Sequence, residues 1–304
     1  MDLRQLSYVV LLSEERNFTR AAARANVAQP ALSRQIQKLE RELGVSLVDR
    51  TTRRVALTDD GLVLVGHARR VLAELDAIRV SMDSSAAVLR GRATLGVTPT
   101  PGPVDVPRLL AAFNERHPQV ELAVREDLSA RLTDQLRADE IDLAFVSAVG
   151  APQRRGLELT RVAEDPLLLV VSPTHHLARA TSVRMSELRD ESFIMFRAPS
   201  TIRTMIVQAC EAAGFVPRDQ FETSDPWQAM RLADAGLGIA FLPQHDIEQR
   251  QQSVASVRLQ DPSMRYEVFL ARREARQLSP AAAQLMREAL DSLTFEGPLR
   301  RPTP

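Results

Sequence analysis

Residues 18–44 have the sequence FTRAAARANVAQPALSRQIQKLERELG, which predicts two helices joined by a tight turn. Thr19 is predicted to cap a short helix over residues 20–25, with Phe18 before it as a hydrophobic staple. Because most residues of this helix are alanines, another helix can pack closely against it. Asn26 then begins the turn that leads into a longer helix.

The longer helix is predicted to begin at Gln29 and Pro30, because a proline in the first turn loses no hydrogen bond that the helix would make. It is predicted to end at Gly44, since glycine readily adopts the left-handed conformation that closes a helix. One face carries apolar residues at helical spacing: Leu32, Ile36, Leu39 and Leu43. The opposite face carries polar and basic residues: Gln29, Ser33, Arg34, Gln37, Lys38 and Arg41.

The side chains on that polar face have the chemistry of DNA recognition. Glutamine can form two hydrogen bonds to adenine, arginine can do so to guanine, and serine can contact a base or a phosphate. A short helix, a tight turn and such a polar-faced helix predict a helix-turn-helix, whose second helix lies in the major groove. A small helical bundle with an ordinary solvated face is the alternative that periodicity alone leaves open.

Both flanks of this unit also have recognisable patterns. Residues 3–16 repeat leucine and valine at helical spacing, which predicts an amphipathic helix. Residues 45–58, VSLVDRTTRRVALT, predict a small β-hairpin with Arg50, Arg53 and Arg54 at its tip. Such a tip can lie along the DNA backbone or reach the minor groove, and a solvated basic hairpin is the alternative.

Formal charge is distributed unevenly along the chain. The whole chain has 39 basic and 39 acidic residues, but residues 1–58 hold ten basic and six acidic ones, a net charge of +4. The remainder therefore carries −4. A basic segment joined to a mildly acidic body indicates a polyanionic partner for that segment, although a chance imbalance on a solvated surface remains open.

Length and composition narrow the class of protein. A chain of 304 residues suggests two or three domains. Hydrophobic residues at 44% and charged residues at 26% are typical of a globular protein. No run approaches the roughly 18 apolar residues of a membrane helix, and the N-terminus lacks a signal peptide, so we expect a cytosolic protein without a membrane partner. A single cysteine excludes an internal disulfide.

Residues 18–61 resemble the N-terminal DNA-binding signature of LysR-type transcriptional regulators. The matching elements are the alanine pair after Phe18-Thr19, the run Gln29-Pro30-Ala31-Leu32-Ser33, the pairs Leu39-Glu40 and Leu43-Gly44, the hairpin arginines, and Leu57-Thr58 followed by Gly61. Valine stands at residue 48, where family members usually have phenylalanine. The resemblance extends over nearly the whole chain and implies a winged helix-turn-helix over residues 1–58. The predicted DNA-binding residues are Thr19, Arg20, Gln29, Pro30, Ser33, Arg34, Gln37, Lys38, Arg50, Arg53 and Arg54.

Residues 59–90 are predicted to form a long connecting helix, which Thr58 caps and whose first turn holds Asp59 and Asp60. Apolar or small residues recur close to heptad spacing: Leu62, Val65, Ala68, Leu72, Leu75, Ile78, Met82 and Leu89. Such a stripe indicates a dimer through this helix, although it could instead pack on its own chain. The family resemblance also implies the dimer, and it favours a tetramer built as a dimer of dimers.

Residues 91–296 alternate between strand-like and helix-like segments, which predicts an α/β body with a mainly parallel sheet covered by helices on both faces. The predicted strands cover 93–97, 120–126, 141–147, 166–172, 193–196, 238–243 and 266–271. The predicted helices cover 106–117, 129–138, 201–213, 227–235 and 279–293. Residues 297–304 are expected to be a disordered tail.

The resemblance implies how this body is divided. It implies two Rossmann-like subdomains like those of type 2 periplasmic binding proteins, with a cleft between them. The chain would cross between the lobes near residues 161–165 and 262–267. The first lobe would then comprise about 91–161 and 267–296, and the second about 162–266.

Ligands of open α/β sheets bind beyond the carboxyl ends of the strands. In this chain those ends carry hydroxyl groups and helix starts, which together form an anion site without a buried cation. A small carboxylate is therefore the expected effector, with Arg197 and Arg203 available to assist. The predicted effector-binding residues are Thr98, Pro99, Thr100, Ser129, Ser147, Arg197, Pro199, Ser200 and Thr201. For each hydroxyl residue, an ordinary helix cap or turn is the alternative.

Catalytic, metal and cofactor chemistry are not predicted. The sequence has no HExxH, CxxC or Walker motif, Cys210 is expected to be packed, and His175 and His176 have no third ligand at metal spacing. We therefore expect a regulator, not an enzyme, that binds double-stranded DNA, a small effector and a second copy of itself. An α/β enzyme or a solute-binding protein with an accessory helical domain is the alternative, and salt-dependent DNA binding separates them.

Overall fold

The computed structural model describes residues 1–49, 55–82, 89–148, 155–249, 253–260, 264–274 and 276–294. These residues form two compact units. The first comprises the described residues of Met1–Gly91 with the short segments 138–140 and 277–281, and the second comprises the rest. The hairpin tip with Arg50, Arg53 and Arg54, and the tail 297–304, lie outside the described residues.

The first unit is a winged helix-turn-helix with a long helix after it. Its elements are α1 (Leu3–Glu15), α2 (Phe18–Arg24), α3 (Gln29–Leu43), β1 (Val48–Asp49), β2 (Ala56–Leu57) and α4 (Asp59–Met82). The strands β1 and β2 pair antiparallel, as the hairpin prediction requires.

The predicted cap of α2 is wrong. The side chain of Asn17 accepts a 3.0 Å hydrogen bond from the Arg20 amide, so the helix begins at Phe18 and Thr19 lies inside its first turn. Asparagine is among the best N-cap residues, and here it stands at the spacing that satisfies an N3 amide. The prediction of Phe18 as a hydrophobic staple is also wrong, because a staple residue precedes the cap and Phe18 is the first residue of the helix.

The core of this unit is formed by the apolar face of α3 against α1 and α2. Leu32, Ile36 and Leu39 are fully buried. Leu43, which the apolar stripe also included, is 39% exposed. Leu43 is the last residue of α3, and Gly44 closes the helix with a φ of +73°.

The start of α4 is fixed against the wing. Thr58 caps the helix as predicted, because its Oγ1 accepts a 3.0 Å hydrogen bond from the Gly61 amide. A Cβ at residue 61 would lie 2.2 Å from the Leu47 carbonyl oxygen, so only glycine allows the helix to approach the strand this closely.

The predicted dimer stripe of α4 is only partly available to a partner. Val65 and Ala68 are buried, and Val65 packs in the same core as Val9 and Leu12 of α1. For these two residues the expectation of an interface between chains is wrong, because both are buried within the chain itself. Leu62 and Ile78 are exposed. The described part of α4 ends at Met82, and residues 83–88 lie outside the described residues.

The second unit begins with a lobe of alternating strands and helices. Its elements are β3 (Gly91–Val97), α5 (Val106–Arg116), β4 (Val120–Glu126), α6 (Ser129–Arg137) and β5 (Leu143–Ala148). The chain then continues through β6 (Leu157–Val171), β7 (Ser182–Val183), β8 (Ser192–Phe196), α7 (Thr201–Ala212), β9 (Arg218–Thr223), α8 (Pro226–Asp234), β10 (Ala240–Pro243), α9 (Gln244–Glu248) and β11 (Ala255–Leu259). It returns through β12 (Arg265–Arg273) and α10 (Pro280–Thr294).

The long strand β6 belongs to both lobes. Residues 157–166 pair with β12, which lies between β6 and β5 in the first lobe. Residues 167–171 pair with β10 and β11 in the second lobe. The change of partners falls between Pro166 and Leu167, one residue beyond the predicted crossing, and β12 begins within the predicted second crossing.

The sheet is mixed, which corrects the expectation of a mainly parallel one. β3 and β5 are parallel, but β12 runs antiparallel to both β5 and β6. The chain leaves the first lobe through β6 and re-enters it through β12, so these two neighbouring strands run in opposite directions. Three strands of the second lobe, β7, β9 and β11, were not predicted because they are short or rich in polar residues.

No helix among the described residues combines the length and apolar character needed to cross a membrane.

Candidate functional site

The predicted DNA-contacting residues of α2 and α3 lie on the surface of the first unit. Thr19, Arg20, Gln29, Pro30, Arg34, Gln37 and Lys38 are exposed, and Ser33 is half-buried. The helix-turn-helix therefore presents this set to solvent while the opposite face of α3 fills the core. Contact of these residues with DNA stays a prediction. The same prediction was made for Arg50, Arg53 and Arg54, which lie outside the described residues.

The basic side chains of this surface differ in how they are held. The Arg20 guanidinium donates a 2.6 Å hydrogen bond to the Glu15 carbonyl oxygen and lies 3.3 Å from the Glu15 carboxylate. Arg34 donates only to the Pro30 carbonyl oxygen of its own helix, at 3.2 Å. Within the described chain, no carboxylate pairs with Arg34 or Lys38, so both charges are available to phosphates or bases.

In the second unit, a small cavity lies at the carboxyl ends of β3 and β5. Its lining is Thr98, Pro99, Thr100, Leu128, Ser129, Ser147, Phe196, Ser200, Thr201, Ile202, Ser224, Pro226 and Tyr266. Seven of the nine predicted effector-binding residues therefore lie together here, although their role in binding stays a prediction. The lining contains residues of both lobes, since α7 and α8 belong to the second.

Three hydroxyls at the centre of the cavity are hydrogen-bonded to one another across the lobes. The Ser129 Oγ lies 3.0 Å from the Ser147 Oγ, and Ser147 donates through its Oγ to Thr201 Oγ1 at 2.9 Å. Ser129 is the first residue of α6, Ser147 lies near the end of β5, and Thr201 is the first residue of α7. Two helix starts and one strand end thus meet at this hydroxyl cluster, defined as Ser129, Ser147 and Thr201.

Leu128, Ser224, Pro226 and Tyr266 also line the cavity and were not predicted from the sequence, and Tyr266 is the largest of them. Its hydroxyl lies 2.6 Å from Thr100 Oγ1, and its side chain is almost fully buried. Burial raises the pKa of the Tyr266 hydroxyl above its ordinary value, and hydrogen bonds with Ser147, Thr100 and Thr98 oppose that shift. The neutral hydroxyl can therefore donate a hydrogen bond at neutral pH.

Tyr266 reaches the cavity because of the direction of its strand, which the sequence alone did not reveal. The sequence analysis placed the site beyond the carboxyl ends of the strands, as in a parallel sheet. Because β12 runs antiparallel to β5, with Val268 opposite Ser147, the amino end of β12 lies at the same edge. Tyr266, the first aromatic residue of β12, therefore lies at the cavity.

Two predicted effector residues do not line this cavity. Arg197 is exposed and absent from its lining, and Pro199 lines a neighbouring cavity instead. Arg203, which was expected to assist, donates to the carboxylates of Asp219 and Glu222 on β9 and to the Phe196 carbonyl oxygen. The Arg203 side chain is therefore hydrogen-bonded within the second lobe. No arginine among the described residues lines the cavity.

The cavity is neutral but rich in hydrogen-bond donors. None of its lining residues carries a formal charge at neutral pH. Amides in the first turn of a helix have no partner within that helix, and they carry partial positive charge. The starts of α6 and α7 therefore combine with the hydroxyl cluster into a surface that can hold an anion without a cationic side chain.

A larger neighbouring cavity shares the hydroxyl cluster and extends away from it. Its lining includes apolar side chains of the first lobe, Val146, Leu157, Leu159 and Phe269. A molecule with a polar head at the hydroxyls would thus find an apolar wall beside it.

The cysteine lies apart from both cavities. Cys210 on α7 is fully buried, and its Sγ lies 3.8 Å from the Met185 Sδ. Burial raises the pKa of the Cys210 thiol to about 12, so the thiol is protonated at neutral pH. Nucleophilic and redox reactions of cysteine proceed through the thiolate, so burial and the raised pKa both disfavour them at Cys210.

Comparison with known proteins identifies both units. The family described as bacterial regulatory helix-turn-helix protein, lysR family, matches residues 3–62, and the LysR substrate binding domain matches residues 86–294. The hydrogen peroxide-inducible genes activator of Haemophilus influenzae is 32% identical over 244 residues, covering 80% of each chain. The DNA-binding transcriptional dual regulator OxyR of Escherichia coli is 30% identical over 287 residues, covering 94% of this chain and 93% of its own.

Solved structures agree. A cysteine-to-aspartate variant of full-length OxyR from Pseudomonas aeruginosa superposes with a TM-score of 0.80 at 25% identity, covering 97% of this chain and 95% of that one. The chain therefore belongs to the LysR family of DNA-binding transcription regulators, whose members carry an effector-binding domain, associate with one another and are not enzymes.

Proposed function

We propose that this regulator responds to a small carboxylate that binds at the hydroxyl cluster between the two lobes. The observation that carries the proposal is the convergence of Ser129, Ser147 and Thr201 on one point, with the starts of two helices beside them. Hydroxyl and amide donors recognise a carboxylate without a buried cation. The neutral Tyr266 hydroxyl supplies a further donor at the same cavity.

The body of the effector is proposed to lie against the apolar wall beside the cluster. Val146, Leu157 and Phe269 line the neighbouring cavity that shares the same hydroxyls. A carboxylate attached to a compact apolar or ring-shaped group fits both features. Apolar burial would then contribute affinity, and the directed hydrogen bonds would fix the orientation.

The cavity is suited to regulation because its polar groups come from both lobes. Ser129 and Ser147 belong to the first lobe, and Thr201 belongs to the second. A carboxylate that contacts all three binds one arrangement of the lobes more tightly than others. That difference in affinity is what a ligand needs in order to shift a conformational equilibrium.

Some relatives are named for a response to hydrogen peroxide, and that response is not proposed for this chain. Peroxide oxidises thiolates, and a disulfide switch within one chain requires a second cysteine. This chain has one cysteine, which is fully buried and whose thiol has a pKa raised to about 12. A bound small molecule is therefore the signal that the cavity supports.

The test is a thermal-unfolding screen of the full chain with carboxylic acids and their matched primary amides. A ligand that binds only the folded state stabilises it by RT ln(1 + [L]/Kd), so Tm rises with the logarithm of ligand concentration once that concentration exceeds Kd. We expect acids with a compact apolar body to raise Tm and to change the DNA footprint, while the amides do neither. Equal effects of acids and amides would contradict the proposed anion site.

A further inference from the structure

Two adjacent histidines and a glutamate form a cluster on the second lobe, away from both cavities. His175 and His176 follow the end of β6, and Glu191 immediately precedes β8. We expected no third ligand for the histidine pair, but the fold brings Glu191 to them from 15 residues away. Their ligand atoms all lie within 4.8 Å of one another.

The two imidazole–carboxylate distances in this cluster are close to those between metal ligands and longer than those of a tight ion pair. The Nε2 of His175 lies 3.3 Å from one carboxylate oxygen of Glu191, and the Nε2 of His176 lies 3.4 Å from the other. Charge-assisted hydrogen bonds between such groups are about 2.7–2.9 Å long. Two ligands that each lie about 2.0–2.1 Å from a tetrahedral zinc ion are about 3.3 Å apart.

The orientation of the rings also favours shared coordination. The two imidazole rings are stacked, with centroids 4.5 Å apart and an interplanar angle of 29°, so both present an Nε2 to the same side. Nε2 is one of the two ring nitrogens through which a histidine binds a metal. The side chains of His175 and Glu191 are largely buried, and that of His176 is 68% exposed, which leaves the site open to solvent.

Backbone contacts hold two of the ligands in place. Glu191 donates its amide to the Leu188 carbonyl oxygen at 3.1 Å, and His175 accepts a 3.3 Å hydrogen bond on Nδ1 from the Leu177 amide. Coordination through Nε2 would place the ring proton of His175 on Nδ1 and remove that acceptor. The contact is longer than a normal hydrogen bond of about 2.9–3.0 Å, so little stability is lost.

We propose that His175, His176 and Glu191 bind a divalent transition-metal ion of the zinc class, with water completing the coordination. Two imidazoles and one carboxylate are a ligand set that zinc accepts, and they leave a fourth position open. The ion would join the segment after β6 to the segment before β8, and so would stiffen the second lobe without touching the effector cavity.

The test is calorimetric titration of the metal-stripped full chain with zinc chloride, in a buffer that does not bind zinc. We expect one zinc per chain. His176→Gln should weaken binding roughly tenfold or more, because it removes a direct ligand, and its exposed position leaves the fold intact. Glu191→Gln should also weaken binding. His67→Gln, which alters an exposed histidine on α4, is the matched control and should bind zinc like the parent.

A second measurement separates the site from adventitious binding. Cobalt(II) in a four-coordinate site absorbs visible light much more strongly than hydrated cobalt, and we expect this band in the parent and in His67→Gln but not in His176→Gln. A parent chain that binds no stoichiometric zinc would overturn the proposal. So would a His176→Gln variant that binds zinc as tightly as the parent.

Discussion

The Ser147 amide donates a 2.9 Å hydrogen bond to Ser129 Oγ, and the hydroxyls of the same two residues lie 3.0 Å apart. This double contact joins the end of β5 to the start of α6. An anion that accepts a hydrogen bond from either hydroxyl therefore acts on both elements together. Because Ser147 also donates to Thr201, the same event extends to the second lobe.

Combined replacement of Ser129→Ala and Thr201→Ala is expected to abolish the effector response while leaving DNA binding intact. Each lost hydrogen bond to a charged group costs about 1.5–3 kcal/mol, so effector affinity should fall roughly a hundredfold or more. The measurement is a DNA footprint with and without an acid identified by the thermal screen.

Ser292→Ala is the control for that pair, because Ser292 is an exposed residue of α10 whose Oγ donates only within its own helix. The control should respond like the parent. An unchanged footprint response in the double variant would remove the two hydroxyls from the site.

Tyr266→Phe is expected to weaken effector binding roughly tenfold, since it leaves the buried Thr100 hydroxyl without its 2.6 Å partner. Because burial raises the pKa of Tyr266, the parent hydroxyl stays protonated between about pH 6 and 9. Its contribution to effector affinity should then be constant over that range.

The same shift makes a prediction for stability. The unfolded tyrosine has a pKa of about 10, and the folded one lies higher, so the stabilisation is complete below pH 10 and is lost as the pH rises further. Urea unfolding at increasing alkaline pH should show a steeper loss of stability for the parent than for Tyr266→Phe. Parallel pH profiles would contradict this assignment.

The hydroxyl cluster could be predicted from the sequence because its members occupy strand ends and helix starts, which local patterns reveal. Tyr266 and Glu191 could not be found in that way. Tyr266 reaches the site because β12 runs antiparallel, and Glu191 reaches the histidines because two separate segments meet on the second lobe. Direction of pairing and long-range proximity are tertiary properties that periodicity does not encode.

A similar limit applies to the fold. The strand over residues 166–172 was predicted from its continuous apolar run, but β6 begins at Leu157, where the residues alternate between charged and apolar. That half is stabilised by pairing with β12, not by burial on both faces. Likewise Val65 has the spacing of a dimer seam, yet packing of α1 within the same chain decides its environment.

Arg34→Ala is expected to lower operator affinity by about 1–3 kcal/mol, the range of a good contact to a base edge. Its guanidinium has no carboxylate partner within the described chain, so the loss should appear in DNA binding and not in folding. Fluorescence anisotropy over a series of salt concentrations measures both the affinity and its salt slope.

Arg287→Ala is the matched control for Arg34→Ala. It removes one exposed positive charge from α10, so a general electrostatic effect would appear in both variants. Equal operator affinity of the Arg34→Ala variant and the parent would exclude Arg34 from the interface.

Cys210→Ala is expected to leave the effector response unchanged and to cost about 1 kcal/mol of stability, because a small buried group is removed. In the parent, the Cys210 thiol should react with iodoacetamide only on unfolding, given its burial and its pKa of about 12. Mass spectrometry of the native chain after peroxide treatment should detect no oxidation at this residue. Rapid labelling or oxidation of Cys210 in the native chain would contradict this expectation and would support a thiol-based response.

Ile78→Glu is expected to shift the protein to a smaller oligomer. Ile78 is 49% exposed on α4, and Val71, one heptad before it, is also exposed, so the two residues form an apolar stripe that α1 does not cover. A charge placed in a helix–helix seam loses its hydration without gaining a partner, which should weaken association through this helix. Sedimentation velocity of the parent and the variant measures the effect, with Val216→Glu as the control because Val216 is an exposed valine of the second unit. If Ile78→Glu sediments like the parent, the partner chain must bind α4 on another face or bind elsewhere.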